Sequence, residues 1–301
     1  MSNLFVGTVA FDSIETPFGK AERVLGGSAT YASLAASYCS SNNSILSVVG
    51  RDFKKENITL FLDKKIDLSG LSIDKTEKTF FWSGKYRKNM DFRDTLETQL
   101  NVLEKFNPVV PYKDFYFPAL MLGNLDPKIQ LSVLSQLKKR PGVVVLDTMD
   151  FWMESFLEKL LSVIKLVDVL IINEEEVLSL AGLNSLDSSV DRVLSLGPRF
   201  LVVKQGESGA SLFSRGHAPF FVPAFPVKSV VDPTGAGDSF AGGFIGSLST
   251  KRFDYSSAKE GVVSGCLLAS FCVEGFGVEA LLDISQEELS LRRSFLLKNI
   301  S

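Results

Sequence analysis

The stretch "VVDPTGAGDSFAGGF", residues 230–244, joins an apolar run that resembles a strand to an apolar run of helical character. Glycine lets a backbone approach a ligand closely because no Cβ stands in the way. A glycine-rich turn that enters a helix directs several N–H donors outward, and the helix adds roughly half a positive charge at its start. Gly235, Ala236 and Gly237 therefore predict an anion-binding loop.

Asp238 follows this loop, in the first turn of the expected helix. A carboxylate is favoured in its ionised form there, and it can accept a proton from a substrate hydroxyl. Transfer of a phosphoryl group to an alcohol needs both a cradle for the moving charge and a group that takes the proton. We therefore predict phosphoryl transfer, with Asp238 as general base and residues 235–238 as the anion hole. The alternative is that Asp238 only caps the helix.

The composition indicates a chain that can bury a sizeable core, since 45% of its 301 residues are hydrophobic and 22% are charged. The net charge of −3 gives no electrostatic reason to expect nucleic acid or a membrane surface as a partner. The single histidine, His217, cannot anchor a metal site alone and makes a Ser-His-Asp site a poor interpretation. Cys39, Cys266 and Cys272 lack metal-type spacing and predict reduced core thiols, hence a cytoplasmic protein.

Short β-rich runs alternate with amphipathic stretches of helical length along most of the chain. Several of the runs are apolar throughout, as in strands that helices cover on both faces. This order predicts a mainly parallel sheet between layers of helices. The strand candidates are "NLFVGTV", "SILSVVG", "DFYFPAL", "GVVVLD", "VDVLIIN" and "RFLVVKQG". The helix candidates include residues 26–40, 53–64, 127–139, 151–164 and 174–182.

Residues 11–25 and about 72–104 interrupt this alternation. They are richer in aromatic, charged and Thr residues, and "KTFFWSGKYR" predicts a hairpin around Ser83-Gly84. We interpret the two stretches as a small β-sheet inserted in a single domain that covers residues 1–301. The last third, residues 235–300, is predicted to be mainly helical.

"DPTGAGDSFAGGF" closely resembles the C-terminal signature of the ribokinase-like (PfkB-type) family of carbohydrate and nucleoside kinases. The resemblance extends over almost the whole chain, because other features of the family occur in the expected order. It implies a three-layer α/β/α ribokinase-like fold with a mainly parallel central sheet and a small β-sheet lid. It also implies an ATP-dependent kinase that uses Mg²⁺, with K⁺ as an activating ion in many members.

The N-terminal motifs match the family's acceptor site. In "GTVAFD", Asp12 matches the acid that binds sugar hydroxyls, and in "GGSATYASLAA", Gly26 and Gly27 match backbone contacts to the substrate. Tyr31 stands where family members commonly carry Asn, and Ser28 replaces the Lys of ribokinases, so ribose-specific contacts do not transfer directly. From the residues alone, Asp12 also fits a solvated turn acid, and Ser28 fits a helix cap.

The inserted β-sheet corresponds by this resemblance to a lid over the acceptor, which excludes water so that ATP is not simply hydrolysed. Phe81, Trp82, Tyr86 and Arg87 either face the substrate or pack within the lid. Lid sheets in the family often pair, so a homodimer through the lid is a further expectation.

"NEEE" and "VVKQGESGA" match the family's ATP site. Asn173 and Glu176 correspond to its Asn-x-x-Glu element, whose acid organises Mg²⁺, often through water, although the same pair also predicts a capping box. Lys204, Gly206 and Gly209 lie in the strand and turn near the nucleotide phosphates. By the same resemblance, the ATP site includes Thr234, Gly235 and Gly237.

Residues 272–277, "CVEGFG", lie where the family closes its nucleotide pocket. With Asp232 and Thr234, this loop is the candidate site for K⁺. Asp147 and Asp150 end another strand at the edge where α/β sheets bind ligands, and each either touches phosphate-bound metal or caps the next helix.

Three functions follow in order. A sugar kinase is the first, and a nucleoside kinase of the same family is the second, with Tyr31 and the aromatic lid available to stack a base. A ligand sensor that has lost catalysis is the third, and the intact run Thr234–Asp238 argues against it. No GxxxxGK[ST] occurs, which excludes a Walker-type NTPase.

Overall fold

A nine-stranded sheet forms the centre of the computed structural model, which describes residues 2–88, 90, 93–111, 114–248 and 253–300. The strands are β1 Asn3–Val6, β2 Ala10–Thr16, β3 Gly19–Gly26, β4 Asn43–Val49, β5 Ile66–Ile73, β6 Phe81–Tyr86, β7 Arg93–Gln99, β8 Ala119–Leu122, β9 Val143–Asp147, β10 Val169–Asn173, β11 Phe200–Lys204, β12 Gly209–Ser214 and β13 Phe220–Pro223.

The helices on either side of this sheet are α1 Ser28–Ala36, α2 Lys55–Asp63, α3 Pro127–Gln136, α4 Asp150–Ser155, α5 Leu157–Ile164, α6 Glu174–Ala181, α7 Leu186–Ser195, α8 Ala236–Gly246, α9 Tyr255–Cys272, α10 Glu279–Leu282 and α11 Gln286–Lys298. Short 3₁₀ turns cover Asn101–Lys105 and Gly206–Ser208.

The strand order of the central sheet is β13-β12-β11-β10-β9-β8-β1-β4-β5. All neighbours from β11 to β5 are parallel, whereas β12 and β13 are antiparallel. Alternate side chains of one strand enter two different cores, because successive residues point to opposite faces. Phe5 packs in the core with α1, α8 and α9, while Leu4 and Val6 pack in the core with α5, α6 and α7. The predicted three-layer fold with a mainly parallel sheet is confirmed.

A second, four-stranded sheet has the order β3-β2-β6-β7. Strands β2 and β6 are parallel, and each has an antiparallel partner on its outer side. Residues 89, 91 and 92 of the predicted lid lie outside the described residues. The small predicted β-sheet exists, while the division into one domain with an inserted lid stays a prediction.

The predicted hairpin around Ser83-Gly84 is wrong, because β6 runs through both residues as one strand. A Cβ on Gly84 would lie 2.2 Å from a ring carbon of Trp82, so this glycine makes room for the indole instead of forming a turn. The helix predicted over residues 151–164 is two helices, α4 and α5, which are separated at Phe156.

Two of the three cysteines follow the sequence prediction. Cys266 and Cys272 are buried, and burial raises the pKa of each thiol to about 12. Cys39 lies beyond the end of α1 and is exposed, so the prediction of a core thiol is wrong there. None of the helices in the described part of the chain is long and apolar enough to span a membrane.

Candidate active site

The predicted anion loop lies directly before α8. Gly235 is the N-cap residue of this helix, with φ +78° and ψ 0°, and no side chain among the described residues caps the helix end. The first N–H groups of α8 are therefore not taken by a capping side chain, which suits them to bind an anion. A Cβ on Gly235 would lie 2.4 Å from ring carbons of Tyr31. Both the backbone angle and this close approach require glycine.

Asp238 lies in the first turn of α8, as the sequence predicts. Burial and the charge of Asp147 raise the pKa of the Asp238 carboxyl to about 8. The positive charges of Lys204 and Arg93 act in the opposite direction. The ionised form that a general base needs thus depends on these two cations.

Lys204 and Asp147 form a partly buried ion pair beneath the anion loop. They stand at the ends of β11 and β9, and Lys204 Nζ lies 3.0 Å from Asp147 Oδ1. Burial opposes the charge of Lys204, but the negative charges of Asp147 and Glu176 outweigh it, and the pKa of Lys204 is raised. Its Nζ lies only 2.9 Å from the position that a Cβ on Gly237 would take. A fixed cation therefore faces the loop from below.

Asn173 and Glu176 form the capping box of α6. The Asn173 N–H donates to Glu176 Oε2 at 2.7 Å, and the Glu176 N–H donates to Asn173 Oδ1 at 2.8 Å. Burial raises the pKa of Glu176 to about 7, and the charge of Asp150, at the start of α4, adds to this rise. The capping-box alternative is confirmed.

Glu176 fits the metal predicted from the family only as part of a shared site. Within the described residues, no cluster of three or more acids, histidines or cysteines is arranged to hold a metal ion. Mg²⁺ commonly keeps several waters and binds through one or two carboxylates together with substrate phosphates. The donor set therefore fits an ion that binds with a nucleotide.

Asp12, on β2, lies against the glycines that precede α1. A Cβ on Gly26 would lie 1.9 Å from Asp12 Oδ2, and the Gly27 N–H donates to the same carboxyl group. Burial and the charge of Asp232 raise the pKa of Asp12 to about 7, while Arg93 and the Gly27 N–H lower it. Asp12 is buried, so the alternative of a solvated turn acid is wrong.

Tyr31 connects the acceptor motifs with the anion loop. Its ring lies against Gly235, and the side chain is buried. Its hydroxyl has no hydrogen-bond partner among the described residues. Burial and the nearby charges of Asp12 and three other groups raise the pKa of this hydroxyl well above its usual value. An unpaired donor therefore lies within a cluster of acids.

Asp232 joins the anion loop to residues 272–277. Its carboxylate accepts the N–H of Thr234 at 2.8 Å and the N–H of Gly277 at 3.1 Å. Burial raises the pKa of Asp232, although these two hydrogen bonds oppose the rise. The geometry gives Asp232 a structural role, and the prediction that it holds K⁺ with Thr234 stays a prediction.

The four-stranded sheet touches the anion loop through Tyr86. The Tyr86 and Thr234 hydroxyls lie 3.0 Å apart in a buried contact. Arg87, the next residue, forms an exposed ion pair with Asp94 at 2.8 Å. Phe81 packs near Arg23, whose guanidinium carbon lies 5.8 Å from the centroid of the Phe81 ring.

Gly206 and Gly209 lie in the turn that follows Lys204. Gly206 has φ +55° in a 3₁₀ turn, with open space where a Cβ would be. Gly209 has φ +125°, and a Cβ there would lie 2.1 Å from the carbonyl oxygen of Val222. The positive φ angles explain why glycine occurs at both positions, and the assignment of both residues to the ATP site stays a prediction.

Arg93 is a charged residue of the site that the sequence analysis missed. It lies at the start of β7, where Tyr86 is its cross-strand partner. Its charge lowers the pKa of both Asp12 and Asp238. In the sequence it is only one charge at the beginning of a polar strand, and only the pairing of β6 with β7 brings it to the two acids.

The comparisons with known proteins agree with this geometry. A sequence model described as pfkB family carbohydrate kinase matches residues 5–284. A cytidine kinase of Thermococcus kodakarensis is 27% identical over 254 residues, which cover 82% of this chain and 88% of that protein. A nucleoside kinase of Methanocaldococcus jannaschii is 26% identical over 279 residues, covering 90% and 85%. The crystal structure of a Methanocaldococcus jannaschii nucleoside kinase, described as an archaeal member of the ribokinase family, superposes with a TM-score of 0.77 at 22% identity, covering 98% of this chain and 99% of that one.

Proposed function

The chain belongs to the pfkB family of carbohydrate kinases and is an ATP-dependent kinase that acts on a hydroxyl group; we propose that this hydroxyl belongs to a nucleoside. Two relatives that align over most of the chain are named cytidine kinase and nucleoside kinase, and both names support a nucleoside acceptor. The observation that carries the proposed chemistry is that Asp238 lies in the first turn of α8, close enough to Asp12 for the charge of Asp12 to raise its pKa.

Asp12 would bind hydroxyl groups of the acceptor's pentose. Its carboxyl is held by the Gly27 N–H and by contact with Gly26, so its position is fixed before the acceptor arrives. We propose that Gly26, Gly27 and Tyr31 complete this side of the acceptor site. The unpaired Tyr31 hydroxyl supplies a hydrogen-bond donor there.

Asp238 would then accept the proton of the attacking hydroxyl. In this step a bond forms between the acceptor oxygen and the γ-phosphorus, while the bond from that phosphorus to the bridging oxygen of ADP breaks. ADP leaves with the electron pair of that bond, and the proton of the acceptor goes to Asp238. The charges of Lys204 and Arg93 favour the ionised carboxylate that begins the step.

The loop formed by Gly235, Ala236 and Gly237 would receive the charge of the transferred phosphoryl group. Backbone N–H donors that are already in place stabilise such charge without reorganisation. Lys204 Nζ, beneath Gly237, adds a full positive charge to this cradle. Lys204 thereby serves both the phosphoryl group and the ionisation of Asp238.

ATP would bind along the ends of β10 and β11, with Asn173, Lys204, Gly206, Gly209 and Thr234 around its phosphates. Mg²⁺, when bound with ATP, would neutralise phosphate charge, and Glu176 would hold it through water. K⁺ beside Asp232 and Thr234 is retained as part of the proposal. The four-stranded sheet would act as the lid, and its edge strands β3 and β7 are the edges through which two lids could pair in a homodimer.

An acceptor panel tests this proposal. Purified protein is given ATP and Mg²⁺ with cytidine, inosine, D-ribose or D-fructose, and ADP release is measured. We expect turnover with at least one nucleoside and a higher kcat/KM than with either sugar. A free sugar is the second candidate, favoured by the description of the matching family. Turnover with sugars alone would replace the proposal with that candidate, and no turnover with any acceptor would favour a sensor.

A further inference from the structure

Trp82 occupies an unusual position on the lid, with its indole lying across the backbone of Gly84. We infer that this indole is the platform on which the base of a nucleoside acceptor stacks. The inference rests on the proposed function, since a free sugar has no flat ring to stack. It assigns a specificity role to one lid residue, which neither the chemistry of the anion loop nor the relatives' names supply.

Gly84, two residues after Trp82 on β6, makes room for the indole because it has no side chain. A Cβ on Gly84 would lie 2.2 and 2.3 Å from two carbons of the six-membered ring of Trp82, and 3.1 Å from a third. The ring therefore covers the Gly84 backbone closely. The Trp82 Nε1–H donates to Thr95 Oγ1 at 3.3 Å, and this hydrogen bond restricts rotation of the indole. Trp82 nevertheless stays only partly buried, so part of its surface is open.

The register of the lid sheet puts this ring beside the acceptor's acid. Trp82 is the partner of Asp12 in the pairing of β6 with β2. Paired residues of neighbouring strands project from the same face, and the strands are about 4.8 Å apart. A pentose bound at Asp12 would therefore hold its attached base within reach of Trp82. Tyr86, four residues along β6 on the same face, contacts Thr234, so this face is turned toward the anion loop.

Arg93 gives the platform a polar neighbour. Its guanidinium lies over the Trp82 ring, 5.4 Å from the ring centroid, and its charge lowers the pKa of Asp12. A base that stacks on this face of the indole would therefore shift the guanidinium from the ring face to the edge of the base. Guanidinium N–H groups match the carbonyl and ring-nitrogen acceptors that nucleobases carry. The same surface offers nothing comparable to a sugar that lacks a base.

The competing explanation is that Trp82 only stabilises the lid. An aromatic ring laid over a glycine can support a sheet by itself. The two roles differ in what a nucleoside does to the ring: a stacking platform changes its environment when cytidine binds, whereas a packing residue does not. The chain has only two tryptophans, so this difference can be measured directly.

The first experiment uses Trp152→Phe, in which Trp82 is the remaining tryptophan. Trp152 lies on α4, outside the four-stranded sheet, and packs against Phe151 and Phe156. Trp152→Phe keeps an aromatic ring in this cluster and therefore serves as the background variant. Titration with cytidine should change the fluorescence of Trp82 saturably, with a midpoint close to the KM for cytidine. Titration with D-ribose should leave the fluorescence unchanged. An unchanged signal at saturating cytidine, in a variant that still phosphorylates cytidine, overturns the inference.

The second experiment compares Trp82→Leu, Trp82→Phe and Gly84→Ala in the otherwise unchanged protein. Trp82→Leu should raise KM for cytidine roughly 5- to 100-fold, the loss that truncating a stacked aromatic causes. Trp82→Phe should restore most of the affinity. Gly84→Ala should also raise KM for cytidine although Trp82 is not replaced, because the new Cβ would displace the indole. KM for ATP is the internal control and should change less than about twofold.

These measurements separate the inference from the proposed function. Phosphorylation of cytidine with KM unaffected by all three variants contradicts the stacking role and leaves the nucleoside kinase in place. An equal rise of KM for cytidine and for ATP in Trp82→Leu and Gly84→Ala indicates a damaged lid, and also contradicts it. Failure of the parent protein to phosphorylate any nucleoside contradicts the proposed function, and the inference with it.

Discussion

Gly235→Ala should disable the anion loop through a clash with Tyr31. The new Cβ would lie 2.4 Å from ring carbons of Tyr31, whereas ordinary contacts begin at about 3.4 Å. The loop or the ring must therefore move by about 1 Å. A misplacement of that size at a catalytic site costs on the order of 10²-fold in rate. The φ of +78° adds about 1–2 kcal/mol of backbone strain, and the overlap adds about 1–3 kcal/mol.

The expected loss is thus about 2–5 kcal/mol in the free energy of unfolding, with a kcat/KM lower by about 10²-fold. Urea unfolding measures the first quantity, and ADP release with cytidine measures the second. Gly216→Ala is the matched control, because Gly216 has φ +79° but no atom of the described residues lies within 4 Å of a new Cβ. It should lose only the strain of about 1–2 kcal/mol and keep its activity. Gly235→Ala that behaves like Gly216→Ala in both assays would refute the reasoning.

Three further predictions concern the groups around the loop. Because burial raises the pKa of Asp238 to about 8 and the base must be ionised, kcat should increase as the pH rises from 6 to 8, and a flat profile would contradict this. Tyr86→Phe removes the contact with Thr234 and should raise KM for the acceptor about 2- to 10-fold in steady-state assays, with an unchanged KM as the contrary result. Asp232→Asn puts an amide donor against the N–H of Thr234 or of Gly277, which should cost about 1–3 kcal/mol in urea unfolding. A variant as stable as the parent would show that these hydrogen bonds contribute little.

The glycine turn that begins α8 and the layered fold could be predicted because their signals are local in the sequence. The run "TGAGD" combines a glycine turn with an acid in the first helical turn, and apolar strands alternate with helices along the chain. Another local pattern, an Asn three residues before a Glu, predicts the capping box of Asn173 and Glu176. Each of these features depends on residues that are close to one another in the chain.

The contacts between the lid and the loop could not be predicted in the same way. Arg93 reaches the two acids, and Tyr86 reaches Thr234, only through the register of β6 with β7 and the position of the four-stranded sheet beside α8. A shift of one residue would turn these side chains to the other face, and periodicity does not determine that register. The pair Ser83-Gly84 predicts a turn for a related reason, because the sequence does not show that the Trp82 ring lies where a side chain on Gly84 would be.

The most direct test of the account is phosphorylation of cytidine by Asp238→Asn. The folded parent binds the Asp238 proton more tightly than the unfolded chain, so the stability from this group is full below pH 4 and is lost as the pH rises to about 8. The Asn variant should therefore be at least as stable as the parent at pH 8. We expect its affinity for ATP to be retained and its kcat to fall by roughly 10²- to 10⁴-fold. A kcat within about threefold of the parent's would contradict the role of Asp238 as the group that accepts the acceptor's proton.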